Sequence, residues 1–441
     1  MQRDPAWQVS RFMGMAKANA SLSYETSMKT KSILPILSFA ASPLLCAGTP
    51  ELTPAAKSEY WITPTINVRA RFESADIDGS DVSNALTTRE RVGLKTAAWN
   101  GFSAVVEGEF TQAIVDDYSG GPSAADVDPY VANNSGIFDP ENNSLNQLYG
   151  QYKGYDTVVK LGRQQIIYDN AAFIGNVGWR QNEQTFDGVS FVNTSIDGLT
   201  LKGAYINQIN RIFGDQAAGV FRNAPGDIFL LNGSYTGIEN VTLGAYAYLM
   251  DFDANSDNGA ADKWDNNTFG VSASTKALGL LFYGEAAYQE HAGNLDDRDV
   301  FYEHVNVTKK FGEQSLTLGV ENLGAGFQTP LATMHAFNGF ADVFITGRTD
   351  GSHNGLMETY LTYTLPIFYG IKWSNTLRAM GDNTISTGYG YEFDSTLTKK
   401  FDDHFTAIAT FAHFESEGDV YVGKAGLPTT QRVTLELNYS F

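Results

Sequence analysis

Cysteine is all but missing from this sequence: Cys46 is the single copy in 441 residues. A chain so poor in thiols has no disulfide framework and no Cys-built metal or redox site. Proline is scarce too, at 13 copies, and no apolar run reaches the roughly 20 residues that a membrane-crossing helix needs. Basic side chains are outnumbered, 30 Lys and Arg against 50 Asp and Glu for a net charge of -20, which argues against nucleic acid or an anionic membrane surface as partner. Catalytic signatures are missing as well. There is neither a G-x-S-x-G elbow nor an H-E-x-x-H helix, and the six His, at 291, 304, 335, 353, 404 and 413, are scattered, so no enzyme chemistry is expected.

What is present starts at Met28. The residues 1–27 carry no pattern of their own and are read as an upstream segment with no assigned role. From Met28 the chain runs MKTKSILPILSFAASPLLCAG, with Lys29 and Lys31 ahead of an apolar stretch from Ile33 to Leu45 and small residues after it. That is the layout of a secretory signal peptide, expected over 28–48 with cleavage near Ala47 or Gly48. The remainder, 49–441, then holds no cysteine and carries 25 basic against 48 acidic residues.

Hydrophobic residues make up 43% of the chain, yet its mean hydropathy is only -0.22. Both hold at once in a transmembrane β-barrel, where alternate residues face lipid and the others face a polar lumen. The 43 Gly, 22 Tyr and 28 Phe suit strands with aromatic girdles. In TINVRARFE, Ile66, Val68, Ala70 and Phe72 alternate with Asn67, Arg69, Arg71 and Glu73; in RERVGLKTAAW, Val92 and Leu94 alternate with Arg89, Arg91, Gly93 and Lys95. Tight connections at WNG (99–101), 154, 195, 237, 277, 311, 366 and 401 interleave with long polar ones around 75–84, from after Val115 to about Ser144, and around 168–183, 211–226, 253–265, 291–298, 324–354, 383–387 and 416–428. Short after long, repeated along 49–441, predicts an all-β antiparallel barrel of about 18 strands with short periplasmic turns, long outer loops and both termini on the periplasmic side. The last segment, RVTLELNYSF, sets Val433, Leu435, Leu437, Tyr439 and Phe441 on one face, as a closing strand should. It resembles the signal by which the barrel-assembly machinery recognises outer-membrane proteins.

A bacterial outer membrane is therefore the expected location, with lipid and lipopolysaccharide around the wall and a small-molecule or oligosaccharide solute inside it. Strand parity points Arg69, Arg71, Arg89, Arg91, Lys95 and Arg432 inward near the closure, with Glu107, Glu109 and Glu436 beside them; Lys372 and Arg378 add inward charge farther along. These side chains read either as salt-bridge struts or as a cationic stripe that guides an anionic solute. The outer loop around FIGNVGWRQNEQTFDGVSF packs two Asn, two Gln, Trp179 and Arg180 into a short stretch, and is expected inside the lumen as a constriction or a saccharide contact. Asp76, Asp78 and Asp81, with the acidic run 251–265, are candidate Ca²⁺ ligands on the outer loops; no other cofactor is expected. A non-conducting adhesin or receptor barrel is the rival to a pore.

The block LGRQQIIYDNAAFIGNVGWRQNEQTFDGVSF resembles one found in the alginate-export-like family of outer-membrane channels. LATMHAFNGFADVFITGRTDGSHNGLMETYLTY resembles a second, with Phe340 where that family often has Trp and Val343 where it often has Lys. The resemblance implies an eighteen-stranded channel with inward arginines. It points to Arg163, Gln164, Asp169, Asn176, Trp179, Arg180, Gln181, Asn182, Glu183 and Asp187 as site residues. It also raises a dedicated exporter of an anionic polysaccharide such as alginate, but the missing Lys at 343 and the uniformly short periplasmic turns favour a porin for small or anionic solutes, sugar acids or oligosaccharides.

Overall fold

The computed structural model describes residues 61–121, 127–253, 264–291, 299–384, 386–418 and 426–441. The upstream segment, the signal expected over 28–48 and the acidic run 254–263 lie outside the described residues. The strands are β1 (Ile62–Ile77), β2 (Ser83–Thr96), β3 (Phe102–Asp117), β4 (Asn142–Gly154), β5 (Thr157–Gln164) and β6 (Thr185–Asn193). They continue with β7 (Leu199–Asn210), β8 (Asn223–Ile238), β9 (Val241–Phe252), β10 (Asn266–Ala277), β11 (Leu280–His291) and β12 (Asp299–Phe311). The last six are β13 (Gln314–Leu323), β14 (Leu356–Pro366), β15 (Lys372–Gly381), β16 (Gly388–Lys400), β17 (Phe405–Ser416) and β18 (Thr430–Ser440).

Each strand pairs antiparallel with its chain neighbours, and β1 meets β18 from Asn67 opposite Ser440 to Ile77 opposite Thr430. The barrel is closed, with 18 strands in one sheet, so no edge is left unpaired. One end carries the tight turns 97–101, 155–156, 194–198, 239–240, 278–279, 312–313, 367–371 and 401–404, at the places where the alternation breaks in the sequence. Turns this tight use left-handed backbone, as at Asn100 (φ 50) and Gly101 (φ 87). The other end carries the loops, of which 118–141, 165–184 and 324–355 are the longest. The first outer connection is shorter than its acidic sequence suggests. Pairing continues to Ala75 opposite Ser83, because Ala75 and Ala85 bury against Tyr118 and Ile137, and only 78–82 remains loop.

Parity sorts the side chains as the alternation requires. Val92 and Leu94 are about half exposed on the outer face (49% and 47%), whereas Arg89 between the same strands is 1% exposed and inside. An apolar exterior around a polar interior is the inverse of a water-soluble barrel and fits immersion in lipid. The hydrophobic core lies within the lumen. Ile206, Ile228, Leu230, Tyr246, Tyr248, Met250 and Tyr302 project inward from β7 to β12 and bury Phe173, Ile174, Phe327, Leu331, Phe340 and Phe344 of the long loops.

Closure depends on the last residues. The Phe441 amide donates to the Ile66 carbonyl at 2.8 Å and the Ile66 amide donates to the Phe441 carbonyl at 3.2 Å. Deleting Phe441 removes both bonds, each worth about 1 kcal/mol, at the seam that completes the sheet. The fraction running as folded, heat-modifiable barrel on unboiled gels should fall while total synthesis is unchanged; an unaltered folded fraction would mean that closure does not depend on this residue.

Candidate functional site

The inward loop 165–184 is built to bridge the lumen. Its first half is apolar and packs on the β9 to β12 wall, where the Phe173 ring lies 5.3 Å from Tyr246 and 5.2 Å from Tyr302. Its second half exposes backbone carbonyls to the arginines of β1. Arg69 donates to the carbonyls of Gly178 (3.1 Å), Trp179 (3.2 Å) and Arg180 (2.9 Å), and Arg71 donates to that of Trp179 (2.6 Å). A loop turned into a lumen must find partners for its peptide groups, and guanidiniums with five donors each supply them.

Charge is balanced at Glu73. Its carboxylate accepts from Arg71 at 2.7 Å, from Arg180 of the loop at 2.8 Å and from Arg432 of β18 at 2.8 Å. Asp139, from the loop 118–141, adds ion pairs to Arg71 (3.7 Å) and Arg180 (3.5 Å) and accepts from the Gln181 amide at 2.8 Å. Arg432 also reaches the carbonyls of Ala341 (3.0 Å) and Gly136 (3.1 Å), so one strand residue fastens two more loops. On the neighbouring wall Glu183 accepts from Arg91 at 3.2 Å and from Asn176 at 2.8 Å, while Asn182 donates to the Pro140 carbonyl at 2.9 Å and Gln181 to the Thr87 hydroxyl at 2.8 Å.

The two long loops lock onto each other. The Gly175 amide donates to the Leu331 carbonyl (2.8 Å), the Thr333 amide to that of Ala171 (3.0 Å), and the Trp179 indole to that of Thr333 (2.7 Å). His335 stacks on Trp179 at 3.8 Å and on Phe340 at 4.6 Å, and its Nδ1 lies 2.8 Å from Asp342, which also pairs with Arg180 at 3.2 Å. Burial opposes charge on Asp342, but His335, Arg180 and Arg432 outweigh it and hold its carboxyl below the usual carboxylate range.

These contacts revise several sequence expectations. Arg69, Arg71, Arg180 and Arg432 are buried struts rather than a stripe open to solute, and Arg91 on Glu109 and Arg378 on Glu358 and Asp394 are partly buried and paired in the same way. Asn176, Gln181, Asn182 and Glu183 hold the loop, since each is buried and spends its hydrogen bonds on protein. Trp179 offers no sugar platform: His335 covers one face, and the Arg180 guanidinium lies 4.2 Å from the ring centroid over the other. Arg163 is not lumenal. It is in register with Leu148 and Asp187 on the outward parity of Leu161, and it forks onto Asp187 at 2.8 and 2.9 Å. Gln164 is inward and buried, and Asp169 pairs with Asn232 and Lys202. Asp76, Asp78 and Asp81 form no Ca²⁺ site, as no group of three His, Cys, Asp or Glu among the described residues could hold a metal. Asp76 ends up on the outward face, and Asp81 is used through its backbone, its carbonyl accepting from the Ser135 amide at 2.9 Å.

What remains for a solute is at the other end. Lys95, Lys153, Lys160, Lys202, Lys276, Lys310, Lys372 and Lys400 all have inward parity and stand within three residues of the turn end of their strands. The inward positions around them include Thr65, Ser103, Ser234, Thr242, Ser315, Thr364, Thr406 and Asn438, with Val105, Val158, Val192 and Leu281 among them. Among the described residues, Lys202 and Lys400 are the lysines of this set that pair with carboxylates, Asp169 at 3.8 Å and Asp403 at 2.9 Å. Sequence reading picked out Lys95 and Lys372. The others could have been found by carrying the same parity through every strand to its turn. Above this ring Arg89 is buried with its Nε and Nη1 unpaired, Asn67 being its hydrogen-bond partner.

No protein-family model matches the chain, and no curated protein sequence matches it. Solved structures do. OpdO of Pseudomonas aeruginosa superposes with a TM-score of 0.62 at 12% identity, over 86% of this chain and 97% of that one. OccAB1 of Acinetobacter baumannii gives 0.64 at 10%, over 86% and 97%. OpdK of Pseudomonas aeruginosa, solved with vanillate, gives 0.61 at 11%, over 86% and 98%. The likeness is one of fold. It is the fold of 18-stranded outer-membrane porins, and it extends over nearly all the described chain.

Two outcomes follow from the clamp. Glu73→Gln leaves three guanidiniums facing a neutral amide, and removing one member of a buried ion pair costs about 3–5 kcal/mol. A lower melting temperature and a larger, noisier single-channel conductance are expected, whereas unchanged conductance would show that the loop does not limit the bore. The second concerns acid. Because Asp342 titrates lower when folded than when unfolded, its contribution is fully present above about pH 4 and is lost as pH falls through the depressed value. Conductance noise should be the same at pH 7 and pH 5 and rise below about pH 4; Asp342→Asn should show that noise already at pH 7.

Proposed function

We propose that this chain, exported with residues 28–48 as its signal and assembled into the bacterial outer membrane through its C-terminal strand, is a channel for small anionic solutes. The observation that carries the reading is the set of inward lysines at the turn end. Most have no carboxylate partner among the described residues, many of their inward neighbours are hydroxyl or amide side chains, and no helix among the described residues is long and apolar enough to give another route across a membrane. Cations focused at a low-dielectric mouth raise the local concentration of anions and bias permeation toward them. OpdK was solved with vanillate, a small carboxylate, and the fold shared with it fits a solute of that class. Lipopolysaccharide and lipid would surround the wall.

Transport of a polymer is not favoured. Both sequence blocks that resemble the alginate-export-like family are the two loops that interlock across the lumen, so they mark a constriction, and a chain-like solute would have to unlock both. Kinship with that family rests on these blocks alone.

The test replaces charge where it is accessible. Lys95, Lys160 and Lys372 changed together to Gln should move the reversal potential under a salt gradient toward cation selectivity with little change in open conductance. The shift should shrink in 1 M salt, where the Debye length is about 3 Å. A folded triple variant with unaltered selectivity would sink the reading, and absence of conductance in the parent would leave the adhesin.

A further inference from the structure

The outer wall has one feature that neither the lumen nor lipid explains. Glu90 on β2 projects outward, in register with Val68 of β1 and Phe110 of β3, both on the lipid-facing parity. Six residues separate it from the turn end of β2; at a rise of about 3.3 Å along a strand tilted by about 40°, they climb roughly 15 Å of an apolar band about 25 Å tall. Glu90 therefore stands near mid-height. No hydrogen bond or ion pair to its carboxylate exists among the described residues. Three other outward carboxylates have partners: Glu303 accepts from Asn322 at 2.7 Å, Asp227 from Tyr205 at 2.6 Å, and Asp187 pairs with Arg163 at 2.8 Å; Asp76 and Asp251, which have none among the described residues, stand within two residues of the loop end of their strands. Diagonal to Glu90, Thr88 is in register with Gln112 on the same outward face, and neither side chain has a hydrogen-bond partner among the described residues.

A lone carboxylate and a lone amide at the centre of a lipid-facing wall cost free energy unless something covers them. Lipid head groups are too far away in height. Among the described residues the outward cations are elsewhere too: Lys309 and Lys399 stand within two residues of the turn end, and Arg163 one residue from the loop end. We propose that the β1–β3 outer face is the contact between two copies of this chain in the membrane. Across a two-fold axis along the membrane normal, the Glu90 carboxyl of each copy accepts a hydrogen bond from the Gln112 side-chain amide of the other. An acid and an amide on one patch are self-complementary, which is what an isologous contact requires. Polar side chains meeting within the bilayer are the usual glue between membrane-embedded surfaces. The proposal rests on the membrane placement of the barrel and not on what passes through it.

The test uses Thr88→Cys in a Cys46→Ser background, with Val305→Cys on the far wall as control, oxidised in intact outer membranes. Barrel insertion is verified separately by fractionation and heat-modifiability. A disulfide-linked homodimer is expected from Thr88→Cys and not from Val305→Cys. Adding Glu90→Leu, or in a second variant Gln112→Leu, should lower the linked fraction at least tenfold while keeping heat-modifiable barrels and the conductance of each barrel. Three outcomes overturn the idea: no linked species from an inserted Thr88→Cys barrel, equal linking from both positions, or linking to a different protein. Undiminished linking in both leucine variants would do so as well.

Discussion

Three guanidiniums converge on one carboxylate, Glu73, and the interior of this barrel depends on that meeting. Arg71 and Arg432 come from the two strands that close the sheet, and Arg180 comes from a loop far away in sequence. An eighteen-stranded sheet is wide enough to leave an aqueous bore, so its interior cannot be filled by its own side chains as that of a small barrel is. Loops must enter, and an entering loop brings peptide groups that need partners in a place with few waters. The arginines satisfy loop carbonyls, and the carboxylates of Glu73 and Asp139 neutralise the arginines. Neither set would be tolerable alone.

The same logic divides the lumen into two walls. On β7 to β9 and β12 the inner face near the loop end is largely apolar, and it holds Phe173, Ile174 and Phe327 by burial. On β1, β2 and β18 it is ionic, and it holds Gly178 to Arg180 by hydrogen bonds. Burial is non-directional, whereas guanidinium bonds fix orientation. One wall therefore supplies adhesion and the other supplies position. A loop held in both ways can define an aperture.

Strand count, turn positions and inward parity were legible in the sequence because each depends on local alternation. Val92 and Leu94 against Arg89 and Arg91 needs only neighbouring residues to be read. The apolar wall was harder, because it replaces alternation by runs such as Ile228, Phe229, Leu230, Leu231, in which both faces are hydrophobic; such a run in a porin is itself the sign of a strand backed by a packed loop. The roles of the arginines were not legible. Parity shows that Arg69 points inward, but whether it meets a solute or a carbonyl depends on where residues 178–180 lie, and nothing local places them. Trp179 misled for a similar reason. An aromatic ring suggests a sugar platform only while its faces are open, and His335, from the other long loop, closes one of them.

Sorting the basic residues by what they touch separates two tasks that composition merges. Arginine appears where the structure must be held: it stays charged, and its planar fork can satisfy several acceptors at once. Lysine appears at the turn end, where a compact, well-hydrated cation can attract an anion without binding it too tightly to leave. A chain with a net charge of -20 can thus present a cationic path, because its acidic excess is not spread evenly along the barrel axis. Inward positions near the turns carry lysines among Thr and Ser, while inward carboxylates such as Glu73, Glu109, Glu321 and Glu392 are buried higher up in ion pairs or beneath the loops. Selectivity in such a barrel follows from the few charges left unpaired, and the constriction follows from the many that are paired.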